Sequence, residues 1–396
     1  MRRRQTAQER RGDADETGAR PLAAHPSPLE GASMSCLDIG DAHVIVTGGA
    51  GFIGHHLCHE LLKAGARLTV LDNFASGDRA NLRQLMGDHL RLIEHDVTQP
   101  WPIDDPVDAV VHLASLASPV YYMDLPIETL RVGSEGTLRA LEYARRHRAR
   151  FIVSSTSEVY GDPLIHPQVE TYWGNVNPIG VRAVYDEGKR FTEAATVAYA
   201  REYGLSTGIA RLFNTYGPGM RLDDGRAIPT MACQALEGTP ISVSGDGSQT
   251  RSFCYVSDTV AGLIALLTSD VAGPVNLGNP QEITLLELAQ RLRQLTGEVS
   301  DISFVPRPHD DPSVRKPCID AAQRLLGWAP VVALEEGLRR TVESFAAILP
   351  THDPALRERV RFALERGLTQ DRHAAPAPTL NDIATEQSES ARLLVD

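Results

Sequence analysis

The run Ser154-Ser155-Thr156-Ser157-Glu158-Val159-Tyr160-Gly161, followed by Tyr185-Asp186-Glu187-Gly188-Lys189, brings a hydroxyl, a carboxylate, a phenol and an ammonium into one chain. Tyr185 and Lys189 stand four apart, a spacing that puts both on one helical face. An ammonium there lowers the phenol pKa and holds ribose hydroxyls. A free tyrosine titrates near ~10, whereas a base for alcohol oxidation must work nearer neutrality. Lys189 and a charged nicotinamide ring would both shift Tyr185 downward. Such pairs arise by chance in many helices. Thr156, at the C-terminal end of a strand where doubly wound folds place ligands, sharpens this one. The chemistry these residue types support is oxidation of a sugar alcohol by a nicotinamide.

A second pattern supplies the place for that nicotinamide. Val44-Ile45-Val46-Thr47-Gly48-Gly49-Ala50-Gly51-Phe52-Ile53-Gly54 is a β-branched run that breaks into glycines and reads on as an amphipathic helix from Phe52 to Ala64. Such a turn aims backbone N–H groups and the positive helix end at a pyrophosphate, which makes Gly48, Gly51, Phe52, Ile53 and Gly54 the expected contacts. A lone G-x-G-x-x-G is equally an ordinary glycine turn. Its context improves it: the strand Arg67 to Asp72 ends in an acid at the spacing of a ribose-hydroxyl acceptor. Asp72, with Asn73 beside it, favours NAD, because the 2′-phosphate of NADP would meet a like charge. Arg79 reads as a solvated loop charge. Asp96 and Val97, after the strand Leu90 to Glu94, read equally as adenine contacts or as a strand-end turn.

The elements that must position these groups alternate. Strands are expected at Val107 to Leu113, Arg150 to Ser155 and Leu205 to Leu212, and helices at Ile127 to Arg146 and Ala183 to Tyr203, as a Rossmann-type doubly wound parallel α/β sheet requires. From Phe213 the pattern loosens into a smaller, mixed α/β substrate-binding lobe, with helices at Ile228 to Glu237, Val256 to Leu267, Leu285 to Leu295 and Leu334 to Leu349. The organisation is thus a tail over 1–40, an NAD-binding domain over 41–212, a lobe over 213–349 from which about 253–279 returns to the first domain, and a polar tail over 350–396. The first tail is charged, proline-containing and without an apolar core, and reads as disordered, with Met34 an alternative start. Pro354 to Glu365 is expected to form a short helix.

Composition limits the function. The hydrophobic fraction of 42% suits a globular chain of 396 residues, and the net charge of −12 argues against nucleic-acid or anionic-membrane binding as the main task. No apolar segment suggests a secretory signal or membrane anchor. The 5 cysteines are scattered, odd in number and without metal spacing, which reads as thiols in a reducing, cytoplasmic setting with no metal site.

Longer phrases make a resemblance specific. They are His112-Leu113-Ala114 with Ala117-Ser118-Pro119, Thr156 to Pro163, Tyr172 to Gly180, Tyr185 to Arg190, Phe213 to Pro218, Asp224-Gly225-Arg226, Gln249 to Phe253, Asn276 to Pro280, and Asp310-Asp311-Pro312 with Arg315-Lys316-Pro317. Over roughly Ala42 to Phe345 the chain resembles the extended short-chain dehydrogenases/reductases, and among them the UDP-glucuronate decarboxylases, or UDP-xylose synthases. The resemblance implies NAD as cofactor, with Leu113 and Ala114 among its contacts, a UDP-sugar substrate and a homodimer built on the helices Ile127 to Arg146 and Ala183 to Tyr203.

It also implies roles. Oxidation of the C4 hydroxyl, with Tyr185 taking the proton and NAD⁺ the hydride, makes the C5 carboxylate a β-keto acid. Carbon dioxide leaves because its electrons have a carbonyl to enter, C5 is protonated and the hydride returns to C4. Thr156 holds the C4 oxygen. Ser157 stands where the related 4,6-dehydratases carry the aspartic acid that expels water, and the 4-epimerases carry small residues in place of Glu158, so the Ser157-Glu158 pair favours decarboxylation. Arg315 matches an arginine near the substrate carboxylate that has been proposed to donate the C5 proton. A guanidinium holds its proton too firmly for that, which favours steering or orientation of a water. Ser118, Asn177, Arg182, Asn214 and Arg251 are the expected substrate contacts; the structural alternatives are a capping or ion-paired acid for Glu158 and a surface ion pair for Arg182 or Arg251. Two departures stand out: Ser244 where a tyrosine is common, and Gly219 where an arginine often follows Gly-Pro. Other outcomes to separate are release of the UDP-4-keto-pentose, another nucleotide-sugar 4-epimerase or dehydratase, and a non-catalytic NAD-binding scaffold, which the intact Thr156, Tyr185 and Lys189 disfavour.

Overall fold

The β-branched runs form strands and the amphipathic stretches between them form helices, in the order β1 (His43–Thr47), α1 (Phe52–Lys63), β2 (Arg67–Asp72), β3 (Leu90–Glu94) and β4 (Ala109–His112). The chain continues through α2 (Pro119–Asp124), α3 (Pro126–Arg131), α4 (Thr137–His147), β5 (Arg150–Thr156), α5 (Ala183–Tyr203) and β6 (Thr207–Leu212). This computed structural model describes residues 37–307 and 311–349, so both tails, the expected helix Pro354 to Glu365 and Asp310 lie outside the described residues.

After β6 come β7 (Thr215–Tyr216), α6 (Ala227–Glu237), β8 (Ile241–Ser244), β9 (Thr250–Ser252), β10 (Cys254–Tyr255), α7 (Val256–Leu267) and β11 (Val275–Leu277). They are followed by β12 (Glu282–Thr284), α8 (Leu285–Leu295), β13 (Ile302–Val305), α9 (Asp320–Leu326) and α10 (Leu334–Ile348). Seven strands make one parallel sheet in the order β11-β6-β5-β4-β1-β2-β3. Strand order reverses beside β1, and in open α/β sheets ligands bind outside the carboxyl ends of the strands at that point.

Alternation along the strands fills both faces. Val44 and Val46 pack into the apolar cluster that holds Leu57 and Leu61 of α1 and Leu263 of α7, while Ile45 joins Leu141 of α4, Phe151 and Ile209 on the other side. The remaining strands pair two by two: β7 with β10, β9 with β12, and β8 with β13. There α6 and α8 pack together, and α8 starts with a capping box in which Thr284 and Glu287 each satisfy the other's backbone N–H.

One expected helix is divided. Instead of a single helix from Ile127 to Arg146, α3 and α4 are joined by a widened π turn, Val132–Gly136. The cause is close passage of α5: a Cβ on Gly133 would come within 3.1 Å of the Gly188 Cα, and Thr192 Oγ1 donates to the Gly133 carbonyl at 2.9 Å. A π turn widens a helix where a neighbour presses on it. It lies against the helix that carries Tyr185 and Lys189.

Candidate active site

A cavity of ≈ 740 Å³ opens at the carboxyl ends of the sheet strands and is lined by Gly48, Gly51, Phe52, Ile53, Gly54, Asp72, Asn73, Asp96, Val97, Leu113, Ala114, Ser118, Thr156, Glu158, Arg182, Tyr185, Lys189, Asn214, Arg251 and Arg315. All of the expected site residues but one therefore line the same cavity. Asn177 does not: it is exposed and outside the lining, and its Oδ1 accepts the Ile179 amide at 3.3 Å in a local turn. An Asx turn of that kind is a structural reason for asparagine before Pro178.

The glycine loop fits a dinucleotide for steric reasons. A Cβ on Gly54 would lie 2.1 Å from the Gly48 carbonyl oxygen, and one on Gly48, whose φ is +70°, 2.8 Å from the Ala114 amide. Only glycines let the turn close this tightly. Gly51 caps α1 without a side-chain bond, so the N–H groups of the first turn are left for a phosphate. Asp72 is buried at the end of β2 and accepts the Ala50 amide at 2.9 Å and the Phe74 amide at 2.8 Å. Burial pushes its carboxyl above the usual range, partly offset by those two donors. One lone pair on each oxygen stays available for a ribose hydroxyl. Arg79 is exposed, in keeping with a solvated charge, and it pairs with Glu94 and lies over the Phe74 ring.

Thr156 ends β5 and caps the tight turn Ser157–Tyr160, accepting the Glu158 amide at 3.2 Å. The Thr156 hydroxyl also acts on the Tyr185 phenol, pulling its pKa downward. Lys189 lies one helical turn beyond Tyr185, is buried, and donates to the Ser154 carbonyl at 2.8 Å. Burial brings its ammonium down to about 8. The downward shift expected for Tyr185 is reversed in the protein alone. Burial pushes the phenol up to about 12, against the pull of the Thr156 hydroxyl. Lys189, turned to the Ser154 carbonyl with its Nζ 5.9 Å from the Tyr185 ring centre, does not offset the lost hydration.

Glu158 is the centre of a buried charge cluster. Its Oε1 meets Arg315 Nη1 at 2.7 Å, its Oε2 meets Arg315 Nη2 at 2.7 Å, and Arg182 Nη2 reaches Oε2 at 2.9 Å. Burial by itself would raise this carboxyl, but Arg315 and Arg182 outweigh it and hold the group at about 2. Glu158 is thus ion-paired, as its structural alternative required, and at the same time faces the cavity. Arg251 is buried and bonded to Asp311 at 2.7 Å, and Ser118 Oγ donates to the Asp224 carbonyl at 2.5 Å. Two of the cavity residues not assigned from sequence stand out by their contacts. Arg226 lines the wall in a two-point pair with Asp224, and Tyr122 stacks on Tyr185 with ring centres 5.2 Å apart and planes 9° from parallel. The Asp224-Gly225-Arg226 phrase contains the first, while nothing in the local pattern distinguishes Tyr122 from Tyr121.

The two departures also have a place. Ser244 ends β8 on the cavity wall. At Gly219 φ is +82°, and an added Cβ would lie 2.5 Å from the His55 ring, so histidine occupies the space a longer side chain would need.

The pattern of the NAD dependent epimerase/dehydratase family matches residues 44–278. The chain belongs to that family. The epimerase/dehydratase match takes in the glycine loop, Thr156, Tyr185 and Lys189, and NAD is the family's cofactor. The chain is 50% identical over 303 residues, 76% of it and 72% of the relative, to UDP-glucuronic acid decarboxylase 1 of Xenopus tropicalis. It is 47% identical over 329 residues, 83% of it and 95% of the relative, to UDP-glucuronic acid decarboxylase 5 of Arabidopsis thaliana. Among solved structures, the UDP-glucuronic acid 4-epimerase of Bacillus cereus, in complex with UDP-glucuronic acid and NAD, superposes with a TM-score of 0.70 at 26% identity, covering 77% of this chain and 99% of that one.

Proposed function

We propose that this chain is an NAD-dependent decarboxylase that converts UDP-glucuronate to UDP-xylose. The observation that carries the reading is the clamp of Arg182 and Arg315 on Glu158 in the cavity that Thr156 and Tyr185 also line. Two guanidiniums against one carboxylate leave a positive charge in a buried wall, which suits a sugar acid and attracts its carboxylate strongly at reduced dielectric. Relatives named for this activity at 47–50% identity support the same substrate.

Bound NAD supplies the two-electron acceptor and donor at C4. The chain's residues do the rest: Tyr185 takes and returns the C4 hydroxyl proton, Thr156 holds the C4 oxygen, and Lys189 stays anchored on Ser154 beneath them. Gly48 to Gly54 and Asp72 would hold the dinucleotide, and Asn214 and Arg251, which line the same cavity, would meet the diphosphate. Incubation with UDP-glucuronate, read by mass spectrometry, should show carbon dioxide release and UDP-xylose without accumulation of free reduced cofactor. UDP-galacturonate with no loss of mass would overturn the reading in favour of epimerisation.

The reading extends to assembly and setting. Ile127, Leu130, Leu138 and Phe191 remain exposed on α3, α4 and α5, apolar surface that a second copy of the chain would cover. A homodimer by light scattering, retained together with activity after removal of residues 1–33, is the expected result; a monomer contradicts it. The free thiols Cys58, Cys233, Cys254 and Cys318 support a reducing, cytoplasmic setting.

A further inference from the structure

Decarboxylation as proposed consumes one proton per turnover, because a carboxylate leaves as carbon dioxide and hydrogen takes its place on C5. The residues assigned so far do not provide it. Glu158 is held ionised by two arginines, a guanidinium does not release its proton, and Tyr185 takes one proton during oxidation and gives the same one back during reduction. Lys189 is committed to the Ser154 carbonyl.

Two buried polar atoms beside this wall find no hydrogen-bond partner among the described residues: the hydroxyl of Tyr122 and Oδ1 of Asp186. Tyr122 lines the cavity with 1% of its surface exposed, its ring stacked on Tyr185 and the Arg182 guanidinium 5.9 Å from its ring centre. Asp186 follows Tyr185 directly on α5, is 6% exposed, and has its amide bonded to the Arg182 carbonyl at 3.3 Å. An unsatisfied buried hydroxyl or carboxyl costs stability, so two of them at one site call for a functional reason.

We propose that Tyr122 delivers the proton that ends on C5 and that Asp186 resupplies it. When the bond from C5 to the carboxylate carbon breaks, its electron pair enters the C4 carbonyl and gives an enolate. That enolate takes the Tyr122 hydroxyl proton: the C5–H bond forms, the O–H bond breaks, and the ketone returns at C4. The two groups are not bonded to each other in this structure, so the Tyr122 oxygen takes the Asp186 proton once its hydroxyl and the carboxyl have turned together or through one bridging water, and Asp186 reloads from solvent. No electrons are gained or lost in this step, and the one proton consumed is accounted for.

The charges around the pair fit these roles. Burial, then the Glu158 carboxylate, and more weakly Glu187 on the same helix, push Asp186 up to about 7 against the pull of Arg182 and Arg315. Glu158 at about 2 and Asp186 at about 7 are two neighbouring carboxyls set apart by environment, one permanently charged and one able to carry a proton. Burial keeps the Tyr122 phenol protonated, well above the usual tyrosine range. A neutral Asp186 also preserves the surplus positive charge that receives the substrate carboxylate.

The inference rests on the decarboxylase reading, and the test separates the two. Full-length, NAD-loaded Asp186→Asn and Tyr122→Phe are mixed with UDP-glucuronate while bound reduced nicotinamide is followed by its near-ultraviolet absorbance. Both should still oxidise C4 and release carbon dioxide, but form UDP-xylose about 10²-fold more slowly, with reduced nicotinamide accumulating on the protein. Wild-type turnover should fall as pH rises through about 7, where Asp186 loses its proton, and Asp186→Asn should lack that limb. Wild-type rates in either variant, an unchanged pH limb in Asp186→Asn, or a variant that binds NAD but never reduces it would overturn the proposal. If one variant does not fold, the other decides. Absence of carbon dioxide release from the wild type would refute the decarboxylase reading instead.

Discussion

Glu158 and Arg315 face each other across 157 residues of sequence through two parallel contacts, both 2.7 Å long. This is the fork-to-fork geometry in which an arginine–carboxylate pair is strongest and most directional, and Arg182 adds a third contact to the same carboxylate. The loop that carries Arg315 is thereby tied to the end of β5, beside Thr156.

Removing the charge at the centre of that cluster leaves two guanidiniums facing a neutral amide. Glu158→Gln should keep NAD binding, lower the melting temperature, and slow turnover by on the order of 10² or more. Isothermal titration with NAD, thermal unfolding and steady-state assay measure the three effects. Undiminished turnover would reduce Glu158 to a structural role.

Tyr185→Phe deletes the phenol hydroxyl at the oxidation site while leaving the stack on Tyr122 in place. Cofactor affinity should stay within a few-fold of wild type, and no reduced nicotinamide should form on adding UDP-glucuronate, because C4 oxidation lacks its base. This outcome contrasts with Asp186→Asn, in which oxidation proceeds and a later step stalls.

The two carboxyls give opposite dependences of stability on pH. Glu158, at about 2 when folded against 4.5 ordinarily, contributes stability that is fully present above pH 4.5 and is lost as pH falls toward 2. Asp186, at about 7 against 3.8, binds its proton more tightly when folded, so it costs stability increasingly as pH rises from 3.8 to 7. Melting temperatures of wild type and Asp186→Asn should therefore differ little near pH 4, diverge in favour of the variant up to pH 7, and run parallel above. A constant difference across that range would contradict the assignment.

Ser244 on the cavity wall offers no broad face to a nucleotide base. Ser244→Tyr should lower KM for UDP-glucuronate by up to about tenfold, the equivalent of a stacking gain of roughly 0.5–1.5 kcal/mol, with kcat nearly unchanged. Loss of binding in this variant would mean that the pocket is built around the serine and favours a differently shaped base.

How much was legible beforehand depended on whether a residue acts through its neighbours in sequence or through neighbours in space. The strand–glycine–helix run from Val44 to Gly54, the Asp72 strand end and the Tyr185–Lys189 spacing are local patterns, and local backbone geometry determines them: a turn that admits no Cβ at Gly54, a strand period of two, a helical turn of about four residues. Alternation of strands and helices likewise determined the parallel sheet, since parallel neighbours need crossovers between them. Packing decided the rest. The helix around Val132–Gly136 widens because α5 passes over Gly133, which no periodicity within the segment expresses. Tyr122 gained its place only by stacking on a residue far along the chain. Titration was the least legible property. Tyr185 rises instead of falling, and Glu158 and Asp186 separate in opposite directions, because each value is set by burial and by charges brought together only when β5, α5 and the Arg315 loop converge.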